Sequence, residues 1–245
     1  MLKVVYQPKG RAAEYCQWAA NLYRGCGHGC KYCYAPKALQ MPTAEFGKPT
    51  PRQDIISKLT KDGAELKSRG EYHKVLLCFS CDPYQSINES LQLTNQAIET
   101  LHFYGQSVAV LTKGGYRALA DIALLKTGDE FAVTMTCLDN AKSLQWEPGA
   151  ALPQERIDTL KEANSRGVFT WVSMEPVLYP EQSLTIIEQT YEFVDHYKLG
   201  ILNYSTHAKG IDWADYGAKA IALLRKYNKS FYIKDDLKRY VVALV

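Results

Sequence analysis

Three of the seven cysteines in this 245-residue chain lie within eight residues of one another. Three residues separate Cys26 from Cys30 and two separate Cys30 from Cys33, and Gly27 and Gly29 allow the backbone between them to turn tightly. Thiolates this close in sequence are typical ligands of a soft metal ion or an iron–sulfur cluster. A closed structural zinc site has four protein ligands, so three cysteines alone leave one coordination position for another group.

Two simpler readings of this segment compete with a cluster. His28 could complete a zinc site, but it lies two residues from each flanking cysteine, which makes simultaneous tetrahedral ligation awkward. A disulfide would leave one of the three thiols unpaired, and disulfides are rare in cytosolic proteins. The spacing therefore favours a cluster over zinc, and zinc stays open on spacing alone.

The spacing CxxxCxxC followed by an aromatic residue, here Tyr34, resembles the signature of the radical S-adenosylmethionine (SAM) enzymes. The resemblance implies that Cys26, Cys30 and Cys33 hold three irons of a four-iron four-sulfur cluster. It also implies that SAM chelates the fourth iron and is cleaved reductively to a 5′-deoxyadenosyl radical, which abstracts hydrogen from a substrate. An external electron donor such as flavodoxin or ferredoxin is then expected.

Composition places the chain among ordinary globular proteins. Apolar residues make up 47% and charged residues 22%, which excludes disordered and fibrous classes. The net charge of +3 is too small to indicate a polyanionic partner. No stretch is apolar enough for a signal peptide or a membrane span, so we expect a cytoplasmic protein without membrane contact. We expect one domain over residues 1–245, with an N-terminal arm at 1–15 and a C-terminal extension at about 205–245.

Apolar runs of strand length alternate with helical patterns along the chain. Strands are predicted at residues 16–24, 75–79, 106–112, 130–136, 168–174 and 198–203, with a last short strand or extended segment at 231–234. Helices are predicted at residues 52–69, 86–101 (opened by a capping box at Ser86 and Glu89), 116–126, 153–167, 184–193 and 213–227. Such alternation predicts an α/β fold with a parallel sheet, either doubly wound or barrel-like. The cysteine loop after the first strand, together with the resemblance, favours the partial (β/α)6 barrel of radical SAM enzymes.

Several motifs at predicted strand ends resemble the spore photoproduct lyase-like branch of that superfamily, over about residues 20 to 180. They are Ser80-Cys81-Asp82-Pro83-Tyr84-Gln85, Thr112-Lys113, Leu138-Asp139, Glu147-Pro148-Gly149-Ala150 with Arg156, and Met174-Glu175-Pro176-Val177. In parallel α/β folds the carboxyl ends of the strands are where sites are built.

The resemblance implies a set of cofactor-binding residues, namely Tyr32, Tyr34, Ser80, Asp82, Lys113, Thr134 and Glu175. Lys113 would meet the SAM carboxylate, Thr134 would replace a serine that contacts the ribose, and Glu175 would lie near the adenine. Tyr32 and Tyr34 could stack on adenine or shield the cluster. A solvated lysine, an ordinary strand threonine and packed tyrosines are the competing interpretations.

The chain departs from that branch at its hydrogen donor. The branch has a donor cysteine at the register that Phe79 occupies here, so lesion repair does not follow from the resemblance. Cys81 is our first candidate for a thiol that returns hydrogen to a substrate radical, with Cys78 and Cys137 as alternatives. Buried cysteines more often serve as small apolar packing residues.

The expected substrate is a nucleotide or nucleic acid. A peptide or small metabolite is the alternative among enzymes, and a zinc-stabilised nucleic-acid-binding module without catalysis is the alternative of another class.

Overall fold

A parallel sheet of seven strands organises the fold, in a computed structural model that describes residues 2–203 and 205–242. In chain order the strands are β1 (Trp18–Ala20), β2 (Tyr23–Arg24), β3 (Thr50–Pro51), β4 (Lys74–Leu77), β5 (Ser107–Thr112), β6 (Glu130–Thr134), β7 (Phe169–Met174), β8 (His196–Leu199) and β9 (Ser230–Ile233). All but β2 and β3 belong to the large sheet, and those two form a small antiparallel pair.

The strand order distinguishes a barrel-like sheet from a doubly wound one. The order β1-β4-β5-β6-β7-β8-β9 follows the chain without a reversal, whereas a doubly wound sheet reverses at a switch point. The partial-barrel prediction is confirmed. The number of strands was too low, because the segment predicted at 231–234 joins the sheet as β9, parallel to β8, with Lys198 opposite Tyr232.

Helices and short 3-10 segments connect the strands. The helices are α1 (Ala35–Ala38), α2 (Thr43–Phe46), α3 (Ile55–Ser68), α4 (Ile87–Leu91), α5 (Leu93–Phe103), α6 (Leu119–Ile122), α7 (Asn140–Trp146), α8 (Pro153–Ser165), α9 (Pro180–Thr190), α10 (Trp213–Lys226) and α11 (Asp235–Lys238). Turns of 3-10 helix occupy Gly10–Glu14, Gly115–Ala118 and Thr206–Gly210. Within the described residues, no helix is both long and apolar enough to cross a membrane.

Several predicted elements differ in detail from those observed. The capping box at Ser86 is wrong, because Ser86 already has helical angles (φ −52°, ψ −37°) and its side chain makes no capping hydrogen bond. The helix that follows is interrupted at Gln92, whose φ of +49° separates α4 from α5. The first strand is also split, because the chain leaves the large sheet after Ala20 and Tyr23 pairs antiparallel with Pro51.

The N-terminal arm has no periodic sequence pattern, yet hydrogen bonds attach it to the rest of the fold. The buried Asp62 carboxylate of α3 accepts hydrogen bonds from the backbone N–H groups of Lys3, Val4 and Val5 at 2.6 to 2.8 Å. These bonds anchor the start of the chain beside β1. Of the predicted arm and extension, Met1 and residues 243–245 lie outside the described residues.

Packing between α3 and α5 should be sensitive to volume at Gly63. A Cβ added there would lie 2.6 Å from the ring of Tyr104, so Gly63→Ala should overpack the contact and lower the free energy of unfolding by about 1 to 3 kcal/mol. Urea unfolding measures the loss. Lys61→Ala, on the exposed face of the same helix, is the control and should be close to neutral. Equal stabilities of the two variants would contradict the packing argument.

Candidate active site

A cavity of about 560 Å³ lies at the carboxyl ends of the parallel strands. Every residue that the sequence nominated for the site lines it: Cys26, Cys30, Cys33, Tyr32, Tyr34, Ser80, Cys81, Asp82, Lys113, Thr134 and Glu175. These residues come from the cysteine loop, from the segments that follow β4 and β5, from the last residue of β6 and from the turn after β7. The structure therefore brings the predicted set together around one cavity.

The cysteine loop runs from the end of β2 to α1 and is anchored by its own backbone. Cys26 N–H donates to the carbonyl of Phe46 at 2.8 Å, and Gly27 N–H donates to Oε1 of Gln85 at 2.8 Å. Gly25 has a φ of +86°, and a Cβ there would lie 2.5 Å from the Phe46 carbonyl oxygen, so the close approach requires glycine. Gln85 thus links the motif after β4 to the loop.

The Glu147-Pro148-Gly149-Ala150 motif holds the other side of the loop. Gly149 N–H donates to the carbonyl of His28 at 2.8 Å, and Lys31 N–H donates to the carbonyl of Trp146 at 2.9 Å. A Cβ at Gly149 would lie 2.5 Å from the carbonyl oxygen of Gly27. A side chain at Gly149 would therefore push the motif away from the cysteines.

A buried ion pair ties this motif to the sheet. Arg156 Nη2 lies 2.5 Å from Glu147 Oε2, and Arg156 also donates to the carbonyls of Thr134 at 2.9 Å and Ala151 at 2.8 Å. The Tyr32 hydroxyl donates to the second carboxylate oxygen of Glu147. Burial would raise the pKa of Glu147, but Arg156, Lys113 and the Tyr32 hydroxyl together hold that pKa below its usual range. The carboxylate is therefore charged and paired at neutral pH.

Asp82 organises the turn beside the cavity through protein contacts. Its Oδ1 accepts from the Thr112 hydroxyl at 2.6 Å and from Tyr84 N–H at 2.9 Å, and its Oδ2 accepts from Lys113 N–H at 2.7 Å. Burial opposes the charge, but the neighbouring His28 and Lys113 leave the pKa of Asp82 lowered. With both oxygens bonded, Asp82 positions the backbone of Lys113. Direct contact of Asp82 with a cofactor stays a prediction.

His28 is fully engaged with protein and does not complete a metal site. Its Nε2 lies 3.2 Å from Nη2 of Arg117, which can only donate, so Nε2 accepts and Nδ1 carries the hydrogen. Nδ1 lies 3.5 Å from Oδ2 of Asp82. Burial lowers the pKa of His28 to about 4, which keeps the ring neutral. The zinc ligand set that would use His28 is therefore not formed.

Lys113 extends into the cavity as a charged group. Its ammonium lies 5.9 Å from the ring centroid of Tyr32. Burial would lower the pKa of Lys113, but Cys30, Glu147 and Asp82 raise it overall. Within residues 2–203 and 205–242, no carboxylate is recorded at ion-pairing distance from this ammonium. A positive charge is thus directed into the cavity beside the cysteine loop.

Glu175 already has partners from both ends of the chain. Its Oε2 accepts from the Tyr15 hydroxyl at 2.6 Å, and Lys234 forms an ion pair with the same oxygen. The Tyr15 hydroxyl also lies 2.9 Å from Oγ of Ser173, and the Lys234 ammonium lies 4.3 Å from the Tyr15 ring centroid. Sequence reasoning missed Tyr15 and Lys234, because neither the aperiodic arm nor the last strand carries a motif. A role for Glu175 near adenine stays a prediction.

The remaining nominated residues offer side chains to the cavity. The Tyr34 hydroxyl donates to the Phe79 carbonyl at 3.3 Å, and the Ser80 backbone N–H donates to Oδ1 of Asn21 at 2.8 Å. Thr134 is buried, and no hydrogen bond from its hydroxyl or that of Ser80 is recorded among the described residues. Among the described residues, these two hydroxyls, like the Lys113 ammonium, are polar groups of the set without a hydrogen-bond partner from the protein.

The four cysteines outside the loop divide into two groups. All seven cysteines are free thiols, and Cys78 and Cys81 line the cavity, whereas Cys16 and Cys137 do not. The Cys137 thiol packs near the carbonyl of Asp139 at 3.8 Å, so it is a poor candidate for the hydrogen donor. Burial raises the pKa of the Cys81 thiol well above its usual range, which keeps its hydrogen in place.

The Cys26, Cys30 and Cys33 thiols suit an iron–sulfur cluster by ligand type. Such clusters are held by cysteine thiolates, and three cysteines leave one iron open to another ligand. All three are free thiols and line one cavity. Across residues 2–203 and 205–242, no group of three or more His, Cys, Asp and Glu side chains is arranged to hold a single metal ion.

The Arg156 ion pair gives a stability prediction. Arg156→Met leaves the Glu147 carboxylate buried without its partner, so the free energy of unfolding should fall by about 3 to 5 kcal/mol at pH 7 in urea. Arg166→Met, which removes a partly exposed pair with Glu162, is the matched control and should cost much less. Glu147→Gln added to Arg156→Met should restore part of the loss.

The contribution of Glu147 to the free energy of unfolding should change with pH in opposite directions in the wild type and in Arg156→Met. In the wild type the folded pKa of Glu147 is lowered, so its contribution is present above the unfolded value of about 4.3 and is lost as the pH falls through the folded pKa. In Arg156→Met burial dominates and raises the folded pKa, so the defect should shrink as the pH falls. A defect in Arg156→Met that is independent of pH would contradict this account.

Comparison with known proteins supports the same assignment. A sequence model of the Radical SAM superfamily matches residues 20–194. An uncharacterized protein of Mycobacterium tuberculosis is 27% identical over 175 residues, which cover 66% of this chain and 50% of that protein. The chain thus spans about half the length of the mycobacterial relatives it matches.

Two solved structures share the fold. A spore photoproduct lyase mutant with bound AdoMet and dinucleoside spore photoproduct has a TM-score of 0.71 at 12% identity, covering 96% of this chain and 79% of that one. SuiB of Streptococcus suis bound to S-adenosylmethionine has a TM-score of 0.66 at 13% identity, covering 93% of this chain and 52% of that one. The chain belongs to the radical SAM superfamily, whose cofactors are a four-iron four-sulfur cluster and S-adenosylmethionine.

Proposed function

We propose that this chain is a radical SAM enzyme that abstracts hydrogen from a nucleotide or nucleic-acid substrate. Cys26, Cys30 and Cys33 are the proposed cluster ligands. Bound at this site, the cluster and SAM supply a 5′-deoxyadenosyl radical for hydrogen abstraction. The observation that carries the proposal is the convergence of the three thiols and eight further nominated side chains on one cavity at the carboxyl edge of a parallel sheet.

Lys113 is proposed to bind the carboxylate of SAM. Its ammonium is charged and has no recorded carboxylate partner among the described residues, so a ligand carboxylate would satisfy it. Its backbone is fixed by Asp82, which accepts from Lys113 N–H, and by Ala151, whose N–H donates to the Lys113 carbonyl at 2.9 Å. Lys113 would therefore bind without a large loss of backbone freedom.

Hydroxyl and aromatic groups are proposed to bind the nucleoside part of SAM. Thr134 and Ser80 each offer a hydroxyl that can donate and accept, which suits a ribose. The Tyr32 ring is fixed by the hydrogen bond from its hydroxyl to Glu147, whereas Tyr34 is 54% exposed. Tyr34 is free to stack on a ligand at the cavity mouth, beside Phe79.

Cys81 is proposed to return a hydrogen atom to the substrate-derived radical. Its thiol lines the cavity and remains protonated, and the weak S–H bond suits hydrogen transfer. The lyase-like branch has its donor at the register of Phe79, two residues before Cys81, so a substrate radical here would be approached from a different position. Lesion repair is therefore not part of the proposal.

The substrate class is supported by the fold shared with spore photoproduct lyase, a mutant of which has been solved with bound dinucleoside spore photoproduct. The activity is proposed to operate in the cytoplasm with a flavodoxin or ferredoxin as electron donor. The decisive assay is an anaerobic incubation of reduced protein with SAM. Equal amounts of 5′-deoxyadenosine and methionine are expected, and intact SAM in the presence of an assembled, reduced cluster would refute the proposal.

The cysteine loop predicts the cluster content. Anaerobic reconstitution with iron and sulfide should load about four of each per chain, with the broad visible absorbance of an iron–sulfur centre. Cys26→Ala, Cys30→Ala and Cys33→Ala should each abolish that absorbance. Cys16→Ala is the control and should retain it, because Cys16 does not line the cavity. A protein that binds only zinc after reconstitution would contradict the assignment.

Lys113→Ala should weaken SAM binding and leave the cluster intact. Loss of a charge-assisted contact costs about 1.5 to 3 kcal/mol, or roughly tenfold to a hundredfold in Kd. Calorimetry on reconstituted protein measures the change. Lys31→Ala removes an exposed lysine of the cysteine loop that does not line the cavity, and it should bind SAM like the wild type. Equal affinities of the two variants would remove Lys113 from the site.

A further inference from the structure

Cys78 and Cys81 form a pair that the cluster does not use. Two residues, Phe79 and Ser80, separate them in the segment that follows β4. Both are free thiols, and both line the cavity. The three cluster cysteines belong to a different loop, and Cys16 and Cys137 lie outside the cavity. Cys78 and Cys81 are therefore the two thiols that a small molecule in the cavity could reach once the cluster is in place.

The backbone turn between them is imposed by Asn21. Its Oδ1 accepts from two successive N–H groups, those of Phe79 at 2.7 Å and Ser80 at 2.8 Å. The Asn21 amide is itself oriented by donating to the Tyr6 hydroxyl at 2.8 Å. One acceptor that binds two consecutive donors fixes the turn between the two cysteines, and both cysteines line the cavity.

The two thiols line the same cavity on either side of this turn. Burial and the neighbouring Cys78 thiol together raise the pKa of the Cys81 thiol. The Cys78 sulfur also accepts from Leu22 N–H at 3.4 Å, which orients it. The side chains are 4% and 9% exposed, so a protein could not reach them, but the cavity admits a small molecule.

We propose that Cys78 and Cys81 are a redox-active dithiol that closes to a disulfide with low-molecular-weight disulfides. The Cys78 thiolate attacks the small disulfide RSSR, giving a mixed disulfide on Cys78 and one RSH, and the Cys81 thiol then loses its proton and displaces the other RS group. The net reaction converts two protein thiols and RSSR into one protein disulfide and two RSH. Two electrons and two protons pass to the small molecule.

Closing this bond would change what the cavity can do. The disulfide removes both S–H hydrogens from the cavity, so the oxidised chain would lack the hydrogen donor assigned to Cys81. This consequence rests on the proposed function, whereas the dithiol–disulfide equilibrium itself does not. The reduced form is the one expected to support hydrogen return.

The test is a thiol titration of the reconstituted full-length chain. The protein is equilibrated anaerobically in reduced and oxidised glutathione at a series of ratios, quenched with acid, alkylated and mapped by mass spectrometry. We expect Cys78 and Cys81 to lose alkylation together, with a linked peptide and a transition that follows the square of the glutathione concentration, as a two-thiol intramolecular disulfide requires. Persistent alkylation of both thiols in the most oxidising buffer would overturn the proposal, and so would linkage of either one to a cluster cysteine instead.

Variants sharpen the assignment. Cys81→Ser should stop at a mixed disulfide between Cys78 and glutathione, whereas Cys137→Ser should behave like the wild type. Because the wild-type map alone decides the question, a variant that fails to fold does not weaken the test. The assay also separates the two proposals: disulfide formation without 5′-deoxyadenosine production in reduced protein refutes only the enzyme, and the reverse refutes only the dithiol.

Discussion

The buried ion pair between Glu147 and Arg156 is the interaction on which the site geometry depends most. The cysteine loop contains little regular structure, so its shape must be imposed by neighbours. Arg156 joins the carboxylate of Glu147 to the end of β6, while Tyr32 attaches the loop to that same carboxylate. A guanidinium presents several donors in a fixed plane, which allows one side chain to fix the carboxylate and two carbonyls together. A lysine could not replace that geometry.

The parallel sheet supplies the second constraint. Strands that all point the same way bring their carboxyl ends to one edge, so short motifs far apart in sequence meet there. Close backbone approach then decides how tightly they meet. At Gly114 a Cβ would lie 2.4 Å from Cβ of Tyr84, and at Gly149 it would collide with the cysteine loop. The motifs after β4 and β5, and the motif that follows β6, therefore fit together only with glycine at these contacts.

Much of this site could be predicted from the sequence, and the missing parts have a physical reason. The cysteine loop and the strand-end motifs are contiguous and chemically distinctive, so the sequence could single out their residues, and these residues line one cavity. Tyr15 and Lys234 contribute through long-range packing, which leaves no local pattern. The Ser86 capping box failed for a similar reason, because the preceding turn already places Ser86 in helical angles and removes the extended geometry of a cap. Apolar spacing predicted a helix at 116–126, but α6 covers only Leu119–Ile122 after a turn of 3-10 helix. The spacing therefore predicts that a helix exists but not how long it is.

The distribution of charge explains which nominated residues suit a ligand and which suit the scaffold. Asp82 and Glu175 line the cavity, yet both carboxylates already have protein partners. Asp82 accepts from the Thr112 hydroxyl and from Lys113 N–H, and Glu175 is paired with Lys234 and accepts from the Tyr15 hydroxyl. Lys113 differs, since its ammonium faces the cavity without a recorded carboxylate partner in the described part of the chain. The surrounding Glu147 and Asp82 favour the charge of this ammonium, but its hydrogen-bond donors have no direct acceptor there, and a ligand of opposite sign would supply one. A carboxylate-bearing ligand that leaves Asp82 and Glu175 in their protein contacts is therefore the arrangement that satisfies all three groups.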